Sequence, residues 1–394
     1  MASFEERLGK ELADETRLVH LGRDPEAQHG FVNAPIYRGS TVLFPTVEEL
    51  LAYDKDFTYG RRGTPTVKAL CSAMTALEGG HKSWVTPSGL SAVTAVLMAF
   101  VEAGDEILIT DSVYEPARRV SGRLLGKLGV KARFYDPAIG AGIADLITER
   151  TKLVIAESPG SQTFELQDLS AIAGACRASN VWLAFDNTWA TPLYFKPLAH
   201  GADISIQAAT KYVVGHADAM LGIVTANERA TPYFTKVHED LGLCGGPEDC
   251  FLALRGLRSM GVRLARHQAS AIEIARWLEN RPEVARVLHP ALPSHPGHDL
   301  WRRDFTGSSG LFSMILKPTS ENAIAAMLNG LALFGMGYSW GGYESLIVPF
   351  DPTRYRTATK WNADGPALRL HIGLDDPADL KADLEAGFRR LIEA

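Results

Sequence analysis

Cysteine is scarce: the 394 residues hold four, Cys71, Cys176, Cys244 and Cys250, with no C-x-x-C pair among them. That spacing supports no disulfide framework and fits a reducing compartment. A surplus of positive charge is also missing. The 40 Lys and Arg against 46 Asp and Glu leave a net −6, which argues against nucleic acid or an anionic membrane as the main partner. Long apolar runs are absent too. The longest, "AVTAVLMAFV" (92–101), is too short to cross a bilayer and is interrupted by Thr94. The opening "MASFEERLGK" is charged rather than apolar, so no signal peptide is expected and a cytoplasmic protein is. Internal repeats, low-complexity segments and long like-charge runs are not found.

What is present is an ordinary globular mixture, 46% hydrophobic and 22% charged, in a chain long enough for two domains. The first sixty residues, with "NAPIYRGST" (33–41) and "FPTVEEL" (44–50), read as an extended arm, and 1–60 is expected to contact a neighbouring subunit. From about residue 64 helices and short apolar strands alternate. Helices are expected at 64–80, 87–104, 115–129 and 168–180, and strands at 106–110, 152–158, 181–186 and 203–208. Continuous apolar strands between helices predict a mostly parallel sheet covered on both faces. A long helix at 259–282 leads into strands at 310–317 and 367–374 and helices at 320–332 and 377–394. The expected division is therefore a larger α/β domain over 61–256 and a smaller α/β domain over 257–394.

Ligands of open parallel sheets gather at the carboxyl ends of the strands. Those ends carry Tyr114, Glu157, Ser158, Asp186 and Lys211, beside a helix start at "SGL" (88–90). Pyridoxal phosphate requires these types. A lysine amine bonds to its aldehyde, a carboxylate keeps its ring nitrogen protonated, and an aromatic face packs on the ring. A helix N-terminus supplies N–H donors for the phosphate. Each piece also has a plain reading: Lys211 as a loop lysine, Asp186 as turn chemistry in "DNT", Tyr114 as a packing residue, "SGLS" as a helix start. Spacing by itself leaves both readings open.

The phrases "YGRRGTPT" (59–66), "DNTWATP" (186–192), "ATKYVVGHAD" (209–218), "YSWGGYESL" (338–346) and "RLHIGLDD" (369–376), in this order, resemble the Cys/Met-metabolism family of pyridoxal-phosphate enzymes. The resemblance covers nearly the whole chain. It implies the fold type I, aspartate-aminotransferase-like architecture, the cofactor pyridoxal 5'-phosphate, and a cytosolic homotetramer built from two dimers with shared active sites. Lys211 matches the lysine that carries the cofactor and later moves protons. Asp186 matches the partner of the pyridine nitrogen, and Tyr114 the ring-stacking tyrosine and a candidate acid or base. Gly89 and Leu90 match backbone donors to the phosphate, with Thr210 adding a hydroxyl. Tyr59 and Arg61 match a pair supplied by the adjacent subunit, Tyr59 joining Lys211 and Tyr114 in the catalytic set. Arg369 matches the residue that grips the substrate α-carboxylate, and Ser339 and Trp340 lie on the loop that shapes the substrate side. For Lys211 or Tyr114 to act as base near neutral pH, its pKa must fall, and a nearby arginine is an expected cause.

Two positions depart from the family pattern. Ala208 stands where many members carry a phosphate-binding serine, and Ser161 where many carry an asparagine. The bulky Trp340 resembles the members that perform β-elimination. This implies carbon–sulfur cleavage of L-cystathionine, or of other cysteine S-conjugates, to a thiol, pyruvate and ammonia. The alternative within the family is γ-synthase, γ-lyase or methionine γ-lyase chemistry. A dinucleotide oxidoreductase would need a glycine fingerprint after a strand, and "GMGYSWGG" (335–342) places Trp340 at its third glycine. For metal, His289, His295 and His298 in "HPALPSHPGH" (289–298) lack a helical i,i+4 face and a cysteine companion. They are expected on a polar surface loop, with no metal.

Overall fold

The computed structural model describes residues 12–394; the first part of the expected arm, 1–11, lies outside the described residues. Seven strands form the larger sheet: β1 Lys82–Thr86, β2 Glu106–Thr110, β3 Lys131–Tyr135, β4 Thr151–Glu157, β5 Trp182–Asp186, β6 Ile204–Gln207 and β7 Gly222–Ala226. Their order is β1-β7-β6-β5-β4-β2-β3. Only β7 runs against its neighbours, so the sheet is mostly parallel. Strands β2, β6 and β7 are buried at every residue. Burial on both faces is why the centre of β2, residues 107–109, reads as an unbroken apolar run and not as an alternation.

Helices cover both faces, and their ends follow local rules. Thr64 caps the helix Pro65–Glu78, Pro65 opens it, and Gly79, at φ 68°, closes it in the left-handed region. Ser88 and Ser91 form a reciprocal capping box on the helix Gly89–Ala99. The long helix runs from Pro247 to Glu279, earlier than the sequence pattern suggests. Proline at its first position breaks no intrahelical bond, so "GGPED" begins the helix and does not precede it.

The smaller sheet is antiparallel throughout, β8 Val284–Leu288, β9 Leu311–Leu316, β10 Leu346–Phe350 and β11 Ala367–His371, in the order β10-β11-β9-β8. It encloses its own core, with Phe312, Met314, Leu368, Leu370, Leu384 and Phe388 all buried. The connection between β10 and β11 straps back onto the larger sheet. Buried Asp111, just past β2, accepts bonds from the amides of Thr357 (3.1 Å), Ala358 (3.0 Å) and Thr359 (2.7 Å) and pairs with Arg118. Sequence periodicity gave no warning of this strap.

In the N-terminal segment, Leu18 and Leu21 join the core beside Leu70 and Leu257, and Arg258 donates to the carbonyls of Leu18 (2.6 Å) and Leu21 (2.7 Å). Beyond it, Leu43 is 84% exposed and Leu51 77%. No described helix is long and apolar enough to cross a membrane.

Candidate active site

A cavity of about 670 Å³ opens at the carboxyl edge of the larger sheet, where the strands deliver Tyr114, Glu157, Asp186 and Lys211. It is closed on the other side by Tyr338, Ser339, Trp340 and Arg369 of the smaller domain. The Lys211 amine donates to Ser339 Oγ at 2.8 Å and lies 5.2 Å from the centre of the Trp340 ring. Burial, and then the charge of Arg369, lower its pKa to about 8, with Asp186 pulling the other way.

Asp186 ends β5 in register with Glu157 at the end of β4. Its Oδ1 accepts the Thr188 amide at 3.0 Å and the Thr188 hydroxyl at 2.5 Å. Burial pushes the carboxyl group of Asp186 up, and Thr188 and Lys211 oppose the shift. Glu157 is raised well above the usual carboxylate range, by burial and by Asp186, although it accepts the Tyr114 amide at 2.7 Å. Asp186 is the member of the pair that Thr188 and Lys211 pull back toward the anion, as a partner of a protonated ring nitrogen must be.

Tyr114 stands at the N-cap position of the helix Glu115–Val120, without a side-chain capping bond, and is half-exposed. Burial, with Glu157 and Asp186, raises its phenol pKa, so the fall needed for a base is found at Lys211 and not at Tyr114. Gly89 and Leu90 line the cavity at the start of their helix, whose capping box already engages the amides of Ser88 and Ser91. A Cβ on Gly89 would come within 2.6 Å of the Ala208 Cβ, so at this position the wall is bare backbone. Thr210 also lines the cavity, but its hydroxyl donates to the Leu221 carbonyl at 3.2 Å and accepts the Leu221 amide at 2.9 Å. The hydroxyl of Thr188 fills another role, accepting the Ala208 amide at 2.9 Å.

Arg369 is buried on β11, and its Nη2 donates to the carbonyls of Gly337, Tyr338 and Ser339 at 3.2, 3.2 and 3.3 Å. Its Nε has no partner among the described residues. An orphaned guanidinium donor at a cavity wall suits an anion such as a carboxylate. Tyr59 and Arg61 are not among the residues that line the cavity of their own chain. Tyr59 is 46% exposed, and Arg61 donates to the Glu239 carbonyl at 3.2 Å.

The histidine loop departs from expectation. His289 and His295 are buried, not on a polar surface, and Pro290, Ala291 and Leu292 between them are buried too. The Nδ1 atoms of His289 and His295 accept the amides of Ala291 (3.1 Å) and Gly297 (3.0 Å), and His298 Nδ1 donates to the Pro290 carbonyl at 3.0 Å. Among the described residues no group of three or more His, Cys, Asp or Glu side chains is placed to hold a metal ion.

An amine of lowered pKa, a partly buried carboxylate, a helix N-terminus opened by glycine and an arginine with one unpartnered donor fit pyridoxal 5'-phosphate and an amino acid. With the mostly parallel sheet beneath them, they define a fold type I pyridoxal-phosphate enzyme. The chain belongs to the family described as Cys/Met metabolism PLP-dependent enzymes, whose model matches residues 15–389. It is 52% identical over 377 residues to a Rhizobium johnstonii protein provisionally named cystathionine beta-lyase, covering 95% of both chains. It is 45% identical to the cystathionine beta-lyase of Salmonella typhimurium, over 96% of this chain and 98% of that one. A solved cystathionine gamma synthase from Xanthomonas oryzae pv. oryzae superposes with a TM-score of 0.89 at 32% identity, over 97% of this chain and 99% of the other.

Proposed function

We propose that this protein is a carbon–sulfur β-lyase that converts L-cystathionine and water to homocysteine, pyruvate and ammonia, a step in methionine biosynthesis. The observation that carries the reading is the loop bearing Ser339 and Trp340, held over the Lys211 amine and backed by Arg369. The indole narrows the substrate side of the site, and relatives of similar length carry the β-lyase name.

Pyridoxal phosphate, when bound, supplies the electron sink that stabilises negative charge at the substrate α-carbon. Lys211 is the residue that would hold it, Asp186 would pair with its ring nitrogen, Tyr114 would pack on its ring, and the amides of Gly89 and Leu90 would meet its phosphate. Arg369 orients the amino acid through its α-carboxylate. Lys211, with a pKa near 8, takes the α-proton at Nζ and returns a proton to the departing sulfur. The β-carbon–sulfur bond breaks, sulfur leaves as the homocysteine thiol, and water converts the three-carbon remainder to pyruvate and ammonia.

The assembly belongs to the same proposal. Tyr59 and Arg61 stand beside an arm that exposes Phe31, Val32, Leu43, Val47 and Leu51, which suits docking on a second copy that receives the pair. A homotetramer in the cytoplasm is the form assigned, and the four free cysteines agree with a reducing compartment. The deciding experiment supplies L-cystathionine and identifies the oxo acid. Pyruvate with homocysteine supports β-elimination, whereas 2-oxobutyrate assigns the protein to γ-chemistry.

A further inference from the structure

The loop from Gly337 to Gly342 hangs from one face of β11 by two side chains two residues apart, as the period of a strand requires. Arg369 holds the carbonyls of residues 337–339. His371, fully buried, places its Nε2 3.1 Å from the Gly341 amide and 3.1 Å from the Gly342 carbonyl. Gly341 has φ 87°, and a Cβ there would lie 2.9 Å from the Lys211 carbonyl carbon, so this peptide rests directly on the lysine backbone. The Tyr212 ring, adjacent in sequence to Lys211, lies 5.5 Å from Trp340 and 5.9 Å from His371. Its hydroxyl accepts the Gly310 amide at 3.0 Å.

We propose that His371 is a positioning residue: its bond to the Gly341–Gly342 peptides sets where Ser339 and Trp340 stand over Lys211, and so how a bound amino acid is presented to the amine. The presentation to a thioether substrate rests on the reaction assigned above; the hold on the loop does not. Arg369 cannot do this alone. It is the cavity's carboxylate-seeking group, and a ligand on its guanidinium competes with the loop carbonyls for its donors. Among the described residues, the ring hydrogen bonds of His371 go to the loop alone.

The ring stays neutral. Burial, then His267, Arg369 and Lys211 disfavour the cation, while the Gly342 carbonyl favours it. A neutral ring serves the loop in either tautomer. Protonated at Nδ1 it accepts from Gly341, and protonated at Nε2 it donates to Gly342. His267 beside it, with ring centres 5.3 Å apart, faces the Ile372 carbonyl through Nδ1 at 2.8 Å and does not reach the loop.

The test compares His371→Leu with His371→Gln as holoenzymes, reading backbone hydrogen exchange in the peptide covering 337–345 together with KM and kcat for L-cystathionine. Leucine fills the space without the polar atom, and glutamine returns a polar group near the position of Nε2. In His371→Leu, exchange of the loop peptide quickens about tenfold and kcat/KM falls about tenfold, the size of one lost buried hydrogen bond. KM carries most of that loss. Peptides covering β5 and β6 exchange as in the wild type, and His371→Gln recovers both readouts to within about threefold. Unchanged loop exchange in His371→Leu overturns the proposal. So does a His371→Gln variant as impaired as His371→Leu, or faster exchange spread over β5 and β6. Wild-type enzyme that makes no pyruvate from L-cystathionine would remove the reaction assigned above and leave loop exchange to decide the role of His371.

Discussion

The two halves of the cavity are built by different means. The larger sheet presents its groups at strand ends: Asp186 is the last residue of β5, Glu157 the last of β4, and Lys211 follows β6. The smaller domain presents Arg369 from within an antiparallel strand, with an irregular loop hung beneath it. A parallel sheet aligns the carboxyl ends of its strands along one edge, so any functional group there converges without further design. An antiparallel sheet has no such edge. Its contribution depends on which side chain of β11 faces the cavity and on what that side chain can hold in place.

That contrast governs how much of the site was legible in the sequence. Apolar strands followed by Asp186 or Lys211 located the crevice by a general rule. The mostly parallel sheet followed from strands such as "EILIT", which is buried at all its residues. The short strands β1, β3, β7, β8 and β10 were not picked out. On the other side, no local pattern marks Arg369 or Trp340, and only family resemblance singled them out. His371, two residues further on, was passed over although it stands in the quoted phrase "RLHIGLDD". The roles of Glu157 and Asp111 were likewise hidden. One depends on a neighbouring strand end, and the other on a strap that joins residues 111 and 359.

The comparison breaks most visibly at Lys211. On the roles proposed for Lys211, Lys211→Ala removes the cofactor's covalent anchor and the proton carrier together, and pyruvate formation from L-cystathionine should fall by at least about a thousandfold. The visible absorption that the cofactor gives the purified protein should change with it. Activity within tenfold of the wild type would mean that the edge of the larger sheet does not carry the chemistry. Arg369→Leu strikes the other half. Losing a buried arginine–carboxylate pair costs about 3 kcal/mol, so kcat/KM should drop about a hundredfold, mainly through KM. Arg369→Lys should restore little, because an ammonium lacks the planar fork. An unchanged KM in Arg369→Leu would leave the smaller domain with no part in holding substrate.

The smallest effect tests whether the halves act on each other. Lysine loses its proton as pH rises, and only the neutral amine attacks an aldehyde. With a pKa of about 8 for Lys211, cofactor-free protein should capture pyridoxal phosphate at a rate that climbs about tenfold per pH unit below pH 8 and levels off above it. Burial is the first cause of the lowered value, and the Arg369 charge the second. Arg369→Leu removes the second cause and keeps the first. The midpoint should therefore move upward yet stay below the ordinary lysine value, and Asp186→Asn, which removes an opposing pull, should move it downward. Stopped-flow absorbance at the cofactor band reads both shifts. If the Arg369→Leu midpoint coincides with that of the wild type, the two domains share the cavity without sharing its electrostatics. An upward shift makes the smaller domain a regulator of the larger sheet's lysine as well as a holder of substrate.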